Sequence, residues 1–266
     1  MASTETAEET VTSGLRVERP AEGVRMLVFD RPQRRNSLDF DVFARLAQEL
    51  ERIRTDSDVR AVILAGAHGV FSAGADFDAI AGLSETAEAE VTDILAKLMS
   101  VAETLWALPQ PTIAAIDGPA VGAGMSLALA CDIRVGSPSM TLFPSFIRMG
   151  LLPDTGASWL LPRLIGESAA LQMLLAGRPV DAGHALKLGL VSQLSSDALT
   201  AAIELATTFA ARPPVAVAAT KRLLRDAAGG DLTRAIAIEA TEQAAAAHGA
   251  EFADTFAAWR TSRRAD

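Results

Sequence analysis

Apolar residues recur along this chain with two different periods, and the order in which the periods follow one another predicts the fold class. Val24-Arg-Met-Leu-Val-Phe29 and Arg60-Ala-Val-Ile-Leu-Ala65 are short β-branched runs, the pattern of strands buried on both faces. Asp30-Arg-Pro32 ends the first, and Gly66–Gly69 turns the second. Between them Ser37-Leu-Asp39 marks a helix start, with Phe40, Phe43, Leu46, Leu50 and Ile53 at helical spacing. Thr86–Leu108 is helical until Pro109 and Pro111 stop it. Strand Thr112–Asp117 and a helix follow, then short strands Ile133–Val135 and Met140–Phe143 around a Gly136–Ser139 turn. From Gly166 onwards the spacing is helical: Ser168–Ala176, Asp181–Leu188, Ala198–Ala211, Val215–Ala227, Leu232–His248 and Glu251–Arg264. One short strand, Gly189–Gln193, interrupts them. Strand–helix units followed by a helical C-terminal third predict an α/β core with no dividing linker. Alanine-rich Leu232–Ala247 has a weak apolar face and needs other helices, or another subunit, to pack against.

Two stretches carry candidate chemistry. In Ile113–Asp132, Asp117-Gly118-Pro119 breaks a strand and Gly122-Ala123-Gly124 feeds the small apolar helix Met125–Ala130. Such a turn leaves unpaired N–H groups at the positive end of a helix, a place for an anion or for charge that develops in a reaction. It is equally read as a tight turn that needs glycine for packing. Phe71-Ser-Ala-Gly-Ala-Asp-Phe77 is a second small-residue turn after a strand. On neighbouring strands the two can converge on one carbonyl oxygen.

Composition narrows the classes. The chain has 266 residues, half of them hydrophobic, enough for a sizeable core. Its net charge of −9 argues against nucleic acid as a partner, and the lack of a run of ~18 apolar residues argues against a membrane span. The lone Cys131 excludes a disulfide framework and suggests a reducing, cytoplasmic setting. With only His68, His184 and His248 beside it, no zinc site is expected. Residues 1–13 are acidic and polar, unlike a targeting peptide, and read as a disordered tail. The glycines do not follow the dinucleotide spacing, and Gly124-Met-Ser-Leu-Ala128 lacks the second glycine of a serine-hydrolase elbow.

Taken in order, a set of motifs resembles the crotonase (enoyl-CoA hydratase/isomerase) superfamily from about Leu15 to the C-terminus. They are Arg31-Pro…Asn36-Ser-Leu38, Phe71-Ser-Ala-Gly-Ala-Asp76, Ile116-Asp-Gly…Gly122-Ala-Gly…Cys131-Asp-Ile133, Gly150-Leu-Leu-Pro-Asp-Thr-Gly156 with Leu161-Pro-Arg163, and Ala176-Gly-Arg…Ala182…Ala185…Gly189-Leu-Val191. The resemblance implies a spiral of β-β-α units with a helical C-terminal region: a tail at 1–13, a core at 14–200 and a trimerising region at 201–266. It also implies a homotrimer or a dimer of trimers. The substrate it implies is an acyl-CoA thioester, with coenzyme A present as part of the substrate and no permanently bound cofactor. By the same resemblance, the oxyanion-hole donors are the N–H groups of Ala75 and Ala123, the second usually a glycine. The site is further lined by Arg34, Arg35, Ser37, Ala73, Asp76, Phe77, Gly122, Ser126, Phe143, Phe146 and Trp159. Arg34 and Arg35 are placed to meet phosphates, or are a solvated basic turn. Phe252…Trp259…Arg263 resembles a segment that packs near coenzyme A in relatives, and a core role for Trp259 is as good a reading.

Hydration needs two acid/base groups, which the hydratases supply as glutamates. Those two positions fall here on Ser126 and Phe146, so a two-glutamate hydratase is not expected. Asp154 is the carboxylate left nearby, at a position where several single-aspartate members of the family carry one. It reads either as a helix N-cap before Thr-Gly-Ala-Ser-Trp or as a single acid/base, its pKa raised by Phe143, Phe146 and Trp159 excluding water. Asp76, Asp117 and Asp132 read as structural. One base fits an enoyl-CoA isomerase; a hydratase, an inactive acyl-CoA binder and a dehalogenase-like nucleophile are the alternatives.

Overall fold

The computed structural model describes residues 14–83, 85–227 and 231–262. The tail assigned to 1–13, Arg263 and the side chain of Trp259 lie outside the described residues.

The continuous apolar runs form the centre of a sheet covered on both faces. Among the described residues the sheet has six strands, in the order β1 (Leu15–Ala21), β2 (Val24–Phe29), β3 (Ala61–Gly66), β4 (Thr112–Ile116), β6 (Ile133–Gly136) and β9 (Gln193–Leu194). β1 and β2 are antiparallel and the other pairs parallel. Successive side chains alternate between two cores. Leu27, Phe29, Val62, Leu64, Ala114 and Ile116 face α1 (Phe40–Thr55), α3 (Glu88–Ala107) and α4 (Ala123–Ala130). Met26, Val28, Ile63, Ala65, Ile113 and Ala115 face Ala198, Ala202 and Ala206 of α8 (Ala198–Ala210). Helix α8 therefore crosses residue 200, where the resemblance puts the start of the C-terminal region, and its alanines are the floor of the sheet.

A smaller sheet takes β5 (Pro119–Val121), β7 (Thr141–Phe143) and β8 (Val180–Asp181). Each unit of the core sends a strand through the large sheet, a short strand or bridge through the small one, and then a helix. The order β4–β5–α4 is the clearest example, and β6–β7 precedes α5 (Ala157–Ile165) and α6 (Glu167–Ala176) in the same way. α7 (Ala182–Leu188) follows β8, and α9 (Pro214–Ala227), α10 (Leu232–His248) and α11 (Ala250–Ser262) complete the chain.

The structure departs from the pattern in several places. β1 carries Arg16, Glu18 and Arg19 on a partly exposed edge, so its apolar signal is weak. β5 starts at the proline that ends the preceding turn. The segment taken as a turn up to Phe77 continues into α2 (Phe77–Leu83), so the helix expected from Thr86 begins at Glu88. The strand expected over Gly189–Gln193 is confined to β9, because Gly189 closes α7 at φ +78°.

Candidate active site

The two small-residue stretches meet. Ser72 and Ala120 form a parallel bridge, the Ser72 N–H donating to Pro119 O (3.1 Å) and the Val121 N–H to Ser72 O (2.9 Å). On the opposite side the Leu38 N–H donates to Gly74 O (2.8 Å) and the Asp76 N–H to Leu38 O (3.0 Å). Ala75, bridged to Leu38 between those two bonds, turns its own N–H away, and no acceptor among the described residues meets it. Ala123 opens α4, so its N–H belongs to the first turn and has no partner within the helix; no other described acceptor meets it.

Close approach of the backbones explains the glycines. A Cβ on Gly74 (φ +87°) would stand 2.7 Å from Val121 O and 3.7 Å from the Ala123 nitrogen. A Cβ on Gly124 would stand 2.5 Å from the Ser72 Cβ. Only glycine lets the two turns close on each other. Two unpaired N–H groups on adjoining turns have the chemistry that an oxyanion hole requires.

A polar frame holds the first turn. Asn36, buried at φ +57°, accepts from the Arg31 N–H (2.8 Å) and donates to Ala67 O (2.9 Å) and Val70 O (2.7 Å). The Ser72 hydroxyl donates to Asn36 O (2.7 Å) and accepts from the Gly74 N–H (3.1 Å). Ser37 donates to Asp76 (2.8 Å), and the Asp78 N–H donates to it as well (3.1 Å). These bonds, Ser37 first, hold the Asp76 carboxyl below the ordinary carboxylate range. Ser37 and Asp76 are thus occupied with each other. The Ala73 N–H is bonded to Arg35 O (3.0 Å). Arg34 pairs with Asp78 (3.1 Å) at the surface, and the Arg35 side chain is exposed beside it.

Several expected lining residues stand elsewhere. Ser126 is fully buried and its hydroxyl donates to Gly122 O one turn back (3.2 Å), so it offers the cleft no polar group. Phe77 is 75% exposed on the outside of α2. Trp159 is 45% exposed, its ring edge-on to Trp106 (5.2 Å) and under the Arg163 guanidinium (3.7 Å). Phe146 is placed as expected in one respect: it is buried, and its ring lies 3.7 Å from where a Gly122 Cβ would stand. Phe143 accepts the Gly122 N–H at its carbonyl (2.9 Å), while Arg148 lies over its ring (5.6 Å).

Asp154 sits on the loop that leaves Phe146, at the entrance to α5, which packs on α4. It does not cap that helix. Gly156 (φ +85°) is the N-cap and no side chain caps it. The carboxyl is half-buried, and burial raises its pKa, a hydrogen bond from Thr155 opposing the rise. Asp132 is a structural hub: its carboxylate accepts from the Thr112 N–H (2.7 Å) and hydroxyl (2.9 Å), Lys221 (2.6 Å) and Arg225 (2.7 Å).

Sequence reasoning passes over Ser72 and Thr155. A serine between two turns carries no periodic signal. The Pro-Asp-Thr-Gly run reads as turn chemistry, with nothing to show a hydroxyl turned onto a carboxyl.

The sequence model of a family described as enoyl-CoA hydratase/isomerase matches residues 19–265. A probable enoyl-CoA hydratase of Mycobacterium tuberculosis is 38% identical over 203 residues, 76% of this chain and 78% of the relative. The human mitochondrial methylglutaconyl-CoA hydratase is 34% identical over 230 residues, 84% of this chain and 67% of the relative. Among solved structures, an enoyl-CoA hydratase from Bacillus anthracis superposes with a TM-score of 0.89 at 30% identity, covering 94% of this chain and 97% of that one.

Proposed function

Since this chain belongs to the enoyl-CoA hydratase/isomerase family, we propose that it shifts a double bond within an acyl-CoA thioester, with Asp154 as the single acid/base. The family membership and the fold make it an acyl-CoA enzyme; the direction of the chemistry is our inference. The Asp154 carboxylate takes the α-proton of a 3-enoyl thioester. Negative charge then collects on the thioester oxygen, where the Ala75 and Ala123 N–H groups stabilise it. The protonated carboxyl returns the proton at the γ-carbon, which yields the conjugated 2-enoyl thioester. Arg34 and Arg35 would meet the coenzyme A phosphates, Arg34 leaving Asp78 to do so.

One observation carries this reading. The two positions that would hold hydratase glutamates are a serine tied to its own helix and a buried phenylalanine, while the half-buried carboxyl of Asp154 stands in the adjoining loop with a raised pKa. Proton abstraction next to a carbonyl suits a base of that kind. Wild type is expected to convert a 3-enoyl-CoA to the 2-enoyl-CoA. Asp154→Asn is expected to lose roughly 100- to 10,000-fold in turnover. Full activity in that variant would remove Asp154 from the mechanism.

The names of the relatives favour a second reading, hydration. It predicts 3-hydroxyacyl-CoA from a 2-enoyl-CoA at a comparable rate. Thioester binding by calorimetry, with no turnover across an acyl-CoA panel, would leave a binding protein. The apolar surface of the C-terminal helices supports a homotrimer or a dimer of trimers, and the buried thiol of Cys131 suits a reducing cytoplasm.

A further inference from the structure

Thr155 has no part in the chemistry described so far, yet it occupies an unfavourable conformation. Its φ is +50°, in the left-handed region that β-branched residues seldom enter, and Gly156 follows at +85°. Such a conformation persists only where the surroundings hold it, and it clusters at functional sites. The entrance to α5 does not require a threonine. The turn is closed by the backbone, the Ala157 N–H donating to Asp154 O (2.9 Å), and glycine or asparagine would suit the angle better. What a threonine adds is a hydroxyl. Thr155 is 2% exposed, and that hydroxyl donates to Asp154 Oδ1 at 3.0 Å. Oδ2 meets no protein donor among the described residues.

We propose that Thr155 is a positioning residue for Asp154, its buried hydroxyl clamping one carboxyl oxygen so that the other is presented to the substrate. The inference rests on Asp154 being the acid/base. A donated hydrogen bond favours the charged carboxylate and burial opposes it. The clamp therefore opposes part of the rise that burial imposes without removing the basicity that burial confers. A rigid carboxyl also shortens the search for the geometry in which one oxygen reaches both the α- and γ-carbons.

Thr155→Val keeps the shape and loses the donor; Thr155→Ser keeps the donor. Two measurements on the full chain test the clamp. The Asp154 carboxyl band is titrated by infrared difference spectroscopy against Asp154→Asn in the substrate-free protein, and the pH dependence of kcat and KM is followed with a 3-enoyl-CoA. In Thr155→Val the carboxyl midpoint and the acid limb of kcat are expected to rise together by about one pH unit. That is about a tenfold loss of kcat below the limb, with KM unchanged and Thr155→Ser restoring both. A valine variant that titrates as wild type, or a kcat loss without a moved midpoint, overturns the proposal. If the valine variant does not fold, Thr155→Gly, which relieves the backbone and also lacks the donor, takes its place. Should Asp154→Asn prove fully active, the isomerase reading falls, while the infrared titration still decides whether the clamp exists.

Discussion

At Asp154 burial penalises the carboxylate, so the folded protein holds the proton more tightly than the unfolded chain does. A carboxyl with a raised folded pKa contributes its full stability below the ordinary value of about 4 and loses it as pH rises through the folded value. Asp154→Asn is therefore expected to be more stable than wild type at neutral pH, with the advantage vanishing on the acid side. Urea unfolding at the two pH values checks this; a less stable asparagine variant at neutral pH would mean that the carboxylate is a net stabiliser. Gly74 carries the other prediction at this scale. A methyl there meets Val121 O at 2.7 Å on a backbone of φ +87°, so Gly74→Ala must part the two turns that bear Ala75 and Ala123. A cost of about 1–3 kcal/mol in stability is expected. If these N–H groups serve as proposed, losing one oxyanion donor is worth roughly 100-fold, and kcat should fall further than the stability loss alone accounts for. Steady-state kinetics on the folded fraction separates the two effects.

Among the elements, α9 is joined to the core through ion pairs and hydrogen bonds. Asp132, at the start of β6, gathers Lys221 and Arg225 from α9 and Thr112 from β4. Lys221 also donates to Gln110 O (2.8 Å), and its pKa is lowered by burial, which Asp132 opposes. Removing one member of such a group leaves buried charge without a partner, at about 3–5 kcal/mol. Asp132→Ala is expected to lose that much and to speed amide exchange in α9 more than in β4; uniform exchange would show that α9 is held by other means. Sequence periodicity finds α9 readily, but not this junction, since Asp132 and Lys221 are far apart in the chain. The same limit applies elsewhere. β2, β3 and β4 are legible because parallel strands buried on both faces are almost uninterrupted apolar runs. β1 and β5 are not, the one partly exposed at an edge and the other three residues long. The motifs point to the turns that bear Ala75 and Ala123, whereas the bonds of Ser72, Ser37 and Thr155 depend on a close approach that no local pattern records.

For the whole molecule, the C-terminal helices carry the prediction about the proposed assembly. α10 has no buried residue, and its larger apolar side chains face outward, Leu232 at 75% and Ile236 at 53% exposed. Leu224 on α9 and Phe252 on α11 are exposed as well. An alanine-rich helix of this length is marginal in water by itself, and three consecutive helices that each expose large apolar residues are candidates for a contact surface. In the proposed assembly, burial against a second copy would stabilise these helices by about 25 cal/mol per Å² of apolar surface removed from water. A closed ring of identical contacts is one way to cover such a face, and the proposed trimer or dimer of trimers is of that kind. Sedimentation equilibrium should return three or six chains per particle. Ile236→Lys with Leu232→Lys should shift the mass towards one chain and lower the melting temperature of α10 before that of the sheet. A wild-type particle of a single chain would refute this reading of the exposed face. Turnover by a dissociated double variant would further show that the two donor turns and Asp154, all carried by the α/β core, complete the chemistry without a neighbour.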